Sequence, residues 1–428
     1  MLATGPSEAA AMPSTPSAVA APDRPDADPP SSALGPPQLV PPRLGAARLD
    51  MVDALRGLVI ALMVLDHVRD YFHWQAFVFS PTDLAKTTPL LFATRWVTHL
   101  CAPSFVLLAG VSIFLQRAGG AYPRSAQSRF LLSRGLWLIV LELTVIVFGF
   151  NFVWPFLFLQ VIWAIGVGMV AMAALIWLPR QAVLALGIVI IAGHGLLAGF
   201  DPSRWGALAP LWTLAMRPGA VPGIEGFVAY PALPWVGILC LGYGLGPLFL
   251  FDAQRRGRVV ATLALAMLTA FVILRASTGF GDPSAWQRHA EPLIDAMAFV
   301  NVSKYPPSLL YALVTLGVSL LLMLALEHCP GWLRRVLLAF GRTPLFTYLL
   351  HIYLVHGLAL LVGVASGIPA TVFVGILGNA GRIAESGWGV SLPAVFGLWL
   401  GVLAALYPLS RWFAGVKARR RERWLSYL

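Results

Sequence analysis

From residue 51 onward the chain alternates between long apolar runs and short polar clusters rich in Gly, Pro and Arg. A helix needs about twenty apolar residues to cross a bilayer, and runs of that size fall near 52–73, 98–116, 131–152, 155–178, 181–199, 228–250, 258–275, 308–327, 343–364 and 391–410. The predicted fold class is all-α: a polytopic membrane protein of about ten transmembrane helices. Basic residues gather after even-numbered runs, as in Arg255, Arg256, Arg258, Arg334, Arg335 and Arg342, and again in the tail beyond 410. By the positive-inside rule both termini are expected in the cytoplasm. Three connectors on the opposite side, 74–97, 200–227 and 276–307, are long enough to suggest functional pieces. Their aromatics, Trp205, Trp212, Trp286 and Tyr230 among them, read first as interfacial anchors. No internal repeat is visible.

The first run breaks the apolar pattern. It carries Asp53, Arg56, Asp66, His67 and Asp70, each costing roughly 2.5–3.5 kcal/mol if ionised near a bilayer centre. Steps of three and four place Asp53, Arg56, His67 and Asp70 on one helical stripe, with Asp53 and His67 about 21 Å apart along it. Such groups persist where they face protein or a wet cavity, so this stripe is the leading site.

Composition agrees with the membrane reading: 58% of the 428 residues are hydrophobic and 11% charged, against roughly 25% charged in a soluble domain. The net charge of +11 sits in connectors rather than on one basic face, which argues against nucleic-acid binding. Cys101, Cys240 and Cys329 lack ligand or disulfide spacing and read as buried apolar residues. Residues 1–47, rich in Pro and Ala, are expected to be a disordered tail with no secretory signal; 48–410 form the transmembrane domain and 411–428 a basic cytoplasmic tail.

The chemistry offered by these residues is proton transfer. His67, with Asp66 beside it and Asp70 one turn on, fits a general base oriented by a carboxylate; a satisfied buried histidine is the bland alternative. His73 and His99 fall near the same end, and three imidazoles could share one mouth. Without a His-Glu-x-x-His or paired-Cys pattern no metal site is predicted. Lys304 and Tyr305 stand before the eighth run, and His351 lies within the ninth beyond Tyr348, all three as candidates for substrate binding. Glu142 and Arg134 read equally well as a structural contact between helices. Arg56 either meets the phosphates of an acyl donor or pairs with Asp53. A proton-coupled transporter or flippase, with the stripe as relay, is the competing function, and a non-catalytic scaffold a third.

Taken in order, Asp53-Ala-Leu-Arg-Gly57, Asp66-His67, the segments 95–110, 230–237, 281–283 and 301–310, and Gly341-Arg-Thr-Pro-Leu-Phe-Thr-Tyr-Leu-Leu-His351 resemble the bacterial relatives of the heparan-α-glucosaminide N-acetyltransferase catalytic domain. The likeness runs from 48 to about 360, and some motifs are shared with the broader transmembrane acyltransferase superfamily. It implies an acetyltransferase of the bacterial inner membrane that passes an acetyl group from cytoplasmic acetyl-CoA to an amine or hydroxyl of a sugar or glycan outside. Carried over by local context, the lysosomal enzyme's essential histidine falls on His73, and the superfamily's on His67. The reading of the residues sets Asp66 and Asp70 as partners of that base, Arg56 and Asp53 on the donor side, and His99, Lys304, Tyr305 and His351 around the substrates. This chain lacks the lysosomal enzyme's large luminal extension, which argues against heparan sulfate itself as acceptor. Contact with membrane lipids is expected throughout, and a homodimer is admitted but not specified.

Overall fold

The run that opens the domain forms one uninterrupted 27-residue helix, α1 (Ala46–Phe72), since it holds no proline and a single glycine. It closes where the His73 amide returns to the Arg69 carbonyl (2.9 Å). The computed structural model describes residues 46–119, 123–197, 199–200, 206, 208–221, 223–378, 380–420 and 422–427; residues 1–45 of the tail expected over 1–47 and Trp205 lie outside them, and residues 46–47 open α1 instead of ending that tail. After α1 come α2 (Pro89–Thr98), α3 (Cys101–Ala118), α4 (Arg124–Leu141), a π-helical turn (Glu142–Ile146), α5 (Val147–Asn151), α6 (Val161–Leu175) and α7 (Arg180–Gly193). Then follow α8 (Ala209–Met216), α9 (Ala232–Leu245), α10 (Ala253–Ser277), α11 (Pro292–Val300) and α12 (Leu309–Leu326). The chain closes with α13 (Gly331–Gly341), α14 (Pro344–Ala365), α15 (Gly381–Glu385) and α16 (Leu392–Arg419).

Among the described residues eight helical stretches are long and apolar enough to cross a membrane: Pro89–Ala118, Arg124–Asn151, Arg180–Leu197, Ala232–Leu250, α10, α12, α14 and α16. The two other predicted spans correspond to α1, long but interrupted by charge, and α6, apolar but only 15 residues. The chain is thus an all-α polytopic membrane protein. Helix α16 runs on to Arg419, so the first part of the expected basic tail is helical.

The charges of α1 are tolerated because protein, not lipid, surrounds it. Helices α2, α3, α12, α13, α14 and α16 all pack on it, and Val59, Val64 and Val68 are fully buried. Gly57 of the Asp-x-x-Arg-Gly motif sets the closest approach: a Cβ there would run into the Leu337 carbonyl of α13, and one on Gly341 into the Asp53 carbonyl of α1. The two glycines interlock the backbones. Asp50 fixes the same joint by accepting from Arg334 (2.9 Å) and Arg342 (3.0 Å).

One feature departs from the sequence reading, which predicts no strand. Strands β1 (Leu157–Leu159), β2 (Gly219–Ala220) and β3 (Gly226–Val228) form a small sheet, ordered β1-β3-β2, with β1 parallel and β2 antiparallel to β3. The run predicted as a span from 155 therefore starts as a strand. Periodicity cannot separate a short buried strand from helix within an apolar stretch.

Candidate active site

Two cavities lie against α1 and share a wall made by Met63, Phe105, Val161 and Tyr348. The first, about 340 Å³, lies toward the start of α1 and is lined by Asp53, Arg56, Arg134, Arg342 and Lys417 among mostly apolar neighbours. Four cations thus face a single carboxylate. Arg56 pairs with Asp53 (2.9 Å), donates to the Leu108 carbonyl (3.2 Å) and contacts the Ser112 hydroxyl. Both readings of Arg56 hold at once: it is paired, and it lines a cavity.

The second cavity, about 390 Å³, is lined by Asp66, His67 and Asp70 of α1, by Arg95 and Thr98 of α2, and by Lys304 and Tyr305. Aromatic walls come from Tyr71, Phe150 and Tyr230, and the sheet covers it through Phe158, Gly219, Phe227 and Val228. Tyr230, first read as an interfacial anchor, is buried in this wall and meets Tyr305 edge-on at 5.4 Å.

Carboxylates do not orient His67, contrary to the expectation from sequence. Asp66 accepts from Arg95 (2.9 and 3.0 Å) and Thr98 (2.7 Å) and pairs with Arg69, while Asp70 accepts from Arg69 (2.8 Å). Successive residues on a helix point about 100° apart, which sends Asp66 toward α2 and away from His67. Its place is to tie α1 to α2. Breaking such a buried network by removing one partner costs roughly 3–5 kcal/mol.

The partner of His67 is instead His351 of α14. His67 Nδ1 lies 2.7 Å from His351 Nε2, with the rings nearly parallel (4°), and His351 Nδ1 lies 3.2 Å from the Thr347 carbonyl. A carbonyl only accepts, so His351 Nδ1 carries the proton, and its Nε2 then accepts from His67 Nδ1–H. The lone pair of His67 Nε2 is left over, with no hydrogen-bond partner among the described residues. This chain of hydrogen bonds leaves the Nε2 lone pair open without any carboxylate.

The three imidazoles expected at one mouth do not converge. His73 lines a separate, smaller cavity of about 210 Å³ with Arg69 and Asp70, and its Nδ1 accepts from the Gln75 amide (3.3 Å). Burial, helped by the charge of Arg69, holds its imidazole below the ordinary histidine value. His99 packs edge-on against Tyr311 (5.7 Å), whose hydroxyl donates to the His99 carbonyl (2.7 Å), and it does not line either large cavity. Glu142 accepts from the Gln160 and Trp163 amides (3.2 and 2.9 Å), capping the start of α6. Unpaired amides at a helix start make that a structural task.

Sequence reasoning placed Tyr348 beside His351 as a pocket group and missed Gln160. The Tyr348 hydroxyl and the Gln160 side-chain nitrogen are buried without a hydrogen-bond partner among the described residues. Gln160 lines the second cavity and Tyr348 both. Buried donors are nearly always satisfied, and both of these belong to residues that line the second cavity. Only the position of Tyr348 one turn before His351 hinted at this.

Fold and site together define an integral-membrane protein that holds a histidine-centred polar chamber inside a helical bundle. Residues 48–278, more than half the chain, match the family model described as heparan-alpha-glucosaminide N-acetyltransferase, catalytic, and the chain belongs to that family of membrane acetyltransferases. No curated protein matches it. The matched region carries His67 and the helices from α1 to α10; Lys304, Tyr305 and His351 lie beyond it.

Proposed function

We propose that the protein transfers an acetyl group from acetyl-CoA, bound from the cytoplasmic side in the first cavity, to an amine or hydroxyl of a sugar or glycan in the second. The observation that carries this reading is the shared wall: cations on one side of it, the open lone pair of His67 on the other, the orphan Tyr348 hydroxyl within it and the orphan Gln160 amide in the second cavity. Arg56, Arg134, Arg342 and Lys417 suit the phosphates of the donor, since guanidinium groups match phosphate oxygens in pairs. The positive-inside expectation puts that basic end in the cytoplasm.

In the step itself His67 Nε2 takes the proton of the acceptor amine or hydroxyl as it attacks the thioester carbonyl. Tyr348 and Gln160 donate to the oxygen that becomes negative. Collapse of the tetrahedral intermediate breaks the carbon–sulfur bond, and the departing thiolate of CoA recovers the proton from His67. Both substrates meet at one wall, so transfer is direct, with no acetyl-histidine intermediate. His67 is the catalytic residue of this reading, and His73 is placed outside it.

The test uses purified protein in proteoliposomes with radiolabelled acetyl-CoA and a panel of amino sugars and glycans. Labelled product that disappears in His67→Ala and persists in His73→Ala supports the reading. Acetyl-CoA left intact across the panel overturns it, as does movement of a solute without thioester consumption.

A further inference from the structure

The second cavity contains a cation that no carboxylate pairs with directly among the described residues. Lys304 is only 7% exposed and lines the chamber that holds His67. An ammonium offers three donors, yet its side chain makes no hydrogen bond or ion pair among the described residues. Its neighbours are the ring faces of Tyr305 and Tyr230, at 5.1 and 6.0 Å. The carboxylates of the chamber are already taken: Asp66 by Arg69, Arg95 and Thr98, and Asp70 by Arg69.

The lysine is held there by its loop. Asp282 accepts from the Ser303 amide (2.8 Å) and the Ser308 hydroxyl (2.6 Å), on either side of Lys304, and Asn301 donates to the Thr82 carbonyl (3.0 Å). A mostly buried lysine that lines the cavity and faces two aromatic rings is stabilised by those rings only in part. The remaining demand is for an anion.

Resting on the reading of this chamber as the acceptor site, we infer that the acceptor carries an anionic oxo group, a carboxylate or a phosphate monoester. That group seats on Lys304 while the amine or hydroxyl to be acetylated meets His67. Tyr305 and Tyr230, which already flank the ammonium, then offer flat faces to the sugar ring.

The experiment is binding, without acetyl-CoA, of glucosamine, muramic acid and glucosamine 6-phosphate to the full-length protein in nanodiscs by isothermal titration. These sugars share one amine and differ in having no added anion, a carboxylate or a phosphate. The expected result is that at least one anionic sugar binds the wild type tenfold or more tightly than glucosamine. Lys304→Arg keeps that ratio, and Lys304→Met brings it to about one. Lys304→Gln repeats the neutral substitution if the methionine variant does not fold. The two anionic sugars separate a carboxylate from a phosphate. Equal binding of all three, a preference that survives loss of the charge, or no measurable binding of either anionic sugar overturns the inference. Because acetyl transfer is not the readout, a failure here is distinct from a failure of the acetyltransferase reading.

Discussion

Replacing His351 tests the acceptor chain that leaves His67 a base. His351→Leu puts an apolar side chain in a fully buried position and removes the acceptor 2.7 Å from His67 Nδ1. The Nδ1–H is then buried without a partner, which costs roughly 1–3 kcal/mol, and no group any longer selects the tautomer with its lone pair on Nε2. At about 1.4 kcal/mol per factor of ten, kcat falls by roughly 5- to 150-fold, reaching only the lower end of the roughly 10²–10⁴-fold expected when the base itself is removed. His351→Gln supplies a carbonyl oxygen near the vacated Nε2 and restores most of the rate. The assay is release of free CoA in single turnovers by protein in proteoliposomes, with the thermal midpoint measured in parallel. Wild-type turnover in His351→Leu, or equal losses in the leucine and glutamine variants, refutes the tautomer argument.

Three further outcomes follow from the geometry. Tyr348→Phe removes a buried hydroxyl that has no partner, so stability stays level or rises while the rate falls about 10²-fold through loss of an oxyanion donor; an unchanged rate in single turnovers excludes Tyr348 from the transition state. Gly57→Ala forces a methyl group into the Leu337 carbonyl and destabilises the α1–α13 joint by about 1–3 kcal/mol, the usual cost of overpacking, read as a lowered thermal midpoint in detergent. His73 has its value lowered in the folded state, so between that value and about 6.5 the unfolded chain binds more protons and stability rises with pH; His73→Gln flattens that part of a pH series of thermal midpoints, and a series left unchanged contradicts the burial argument.

Much of the bundle was legible because crossing a bilayer imposes a length, and eight of the predicted spans recur as long apolar helices. The polar stripe was legible too, since charge inside an apolar run stands out and helical spacing is regular. Local ion pairs such as Asp53 with Arg56, three residues apart, follow from that spacing alone. The short sheet was not legible, because β1 hides in an apolar run and its partner β3 lies in a connector nearly seventy residues away.

What the sequence determined by itself was an α-helical membrane protein with ionisable groups concentrated on its first span. Tertiary structure decided how those groups are used. Asp66 and His67 are neighbours in the chain, but adjacent helical positions diverge, and the aspartate is drawn to Arg69, Arg95 and Thr98. The acceptor for His67 comes from a residue 284 positions away, and only the packing of α14 against α1 brings it within a hydrogen bond. Periodicity along one helix carries no information about that distance, because it depends on which faces of two remote helices meet.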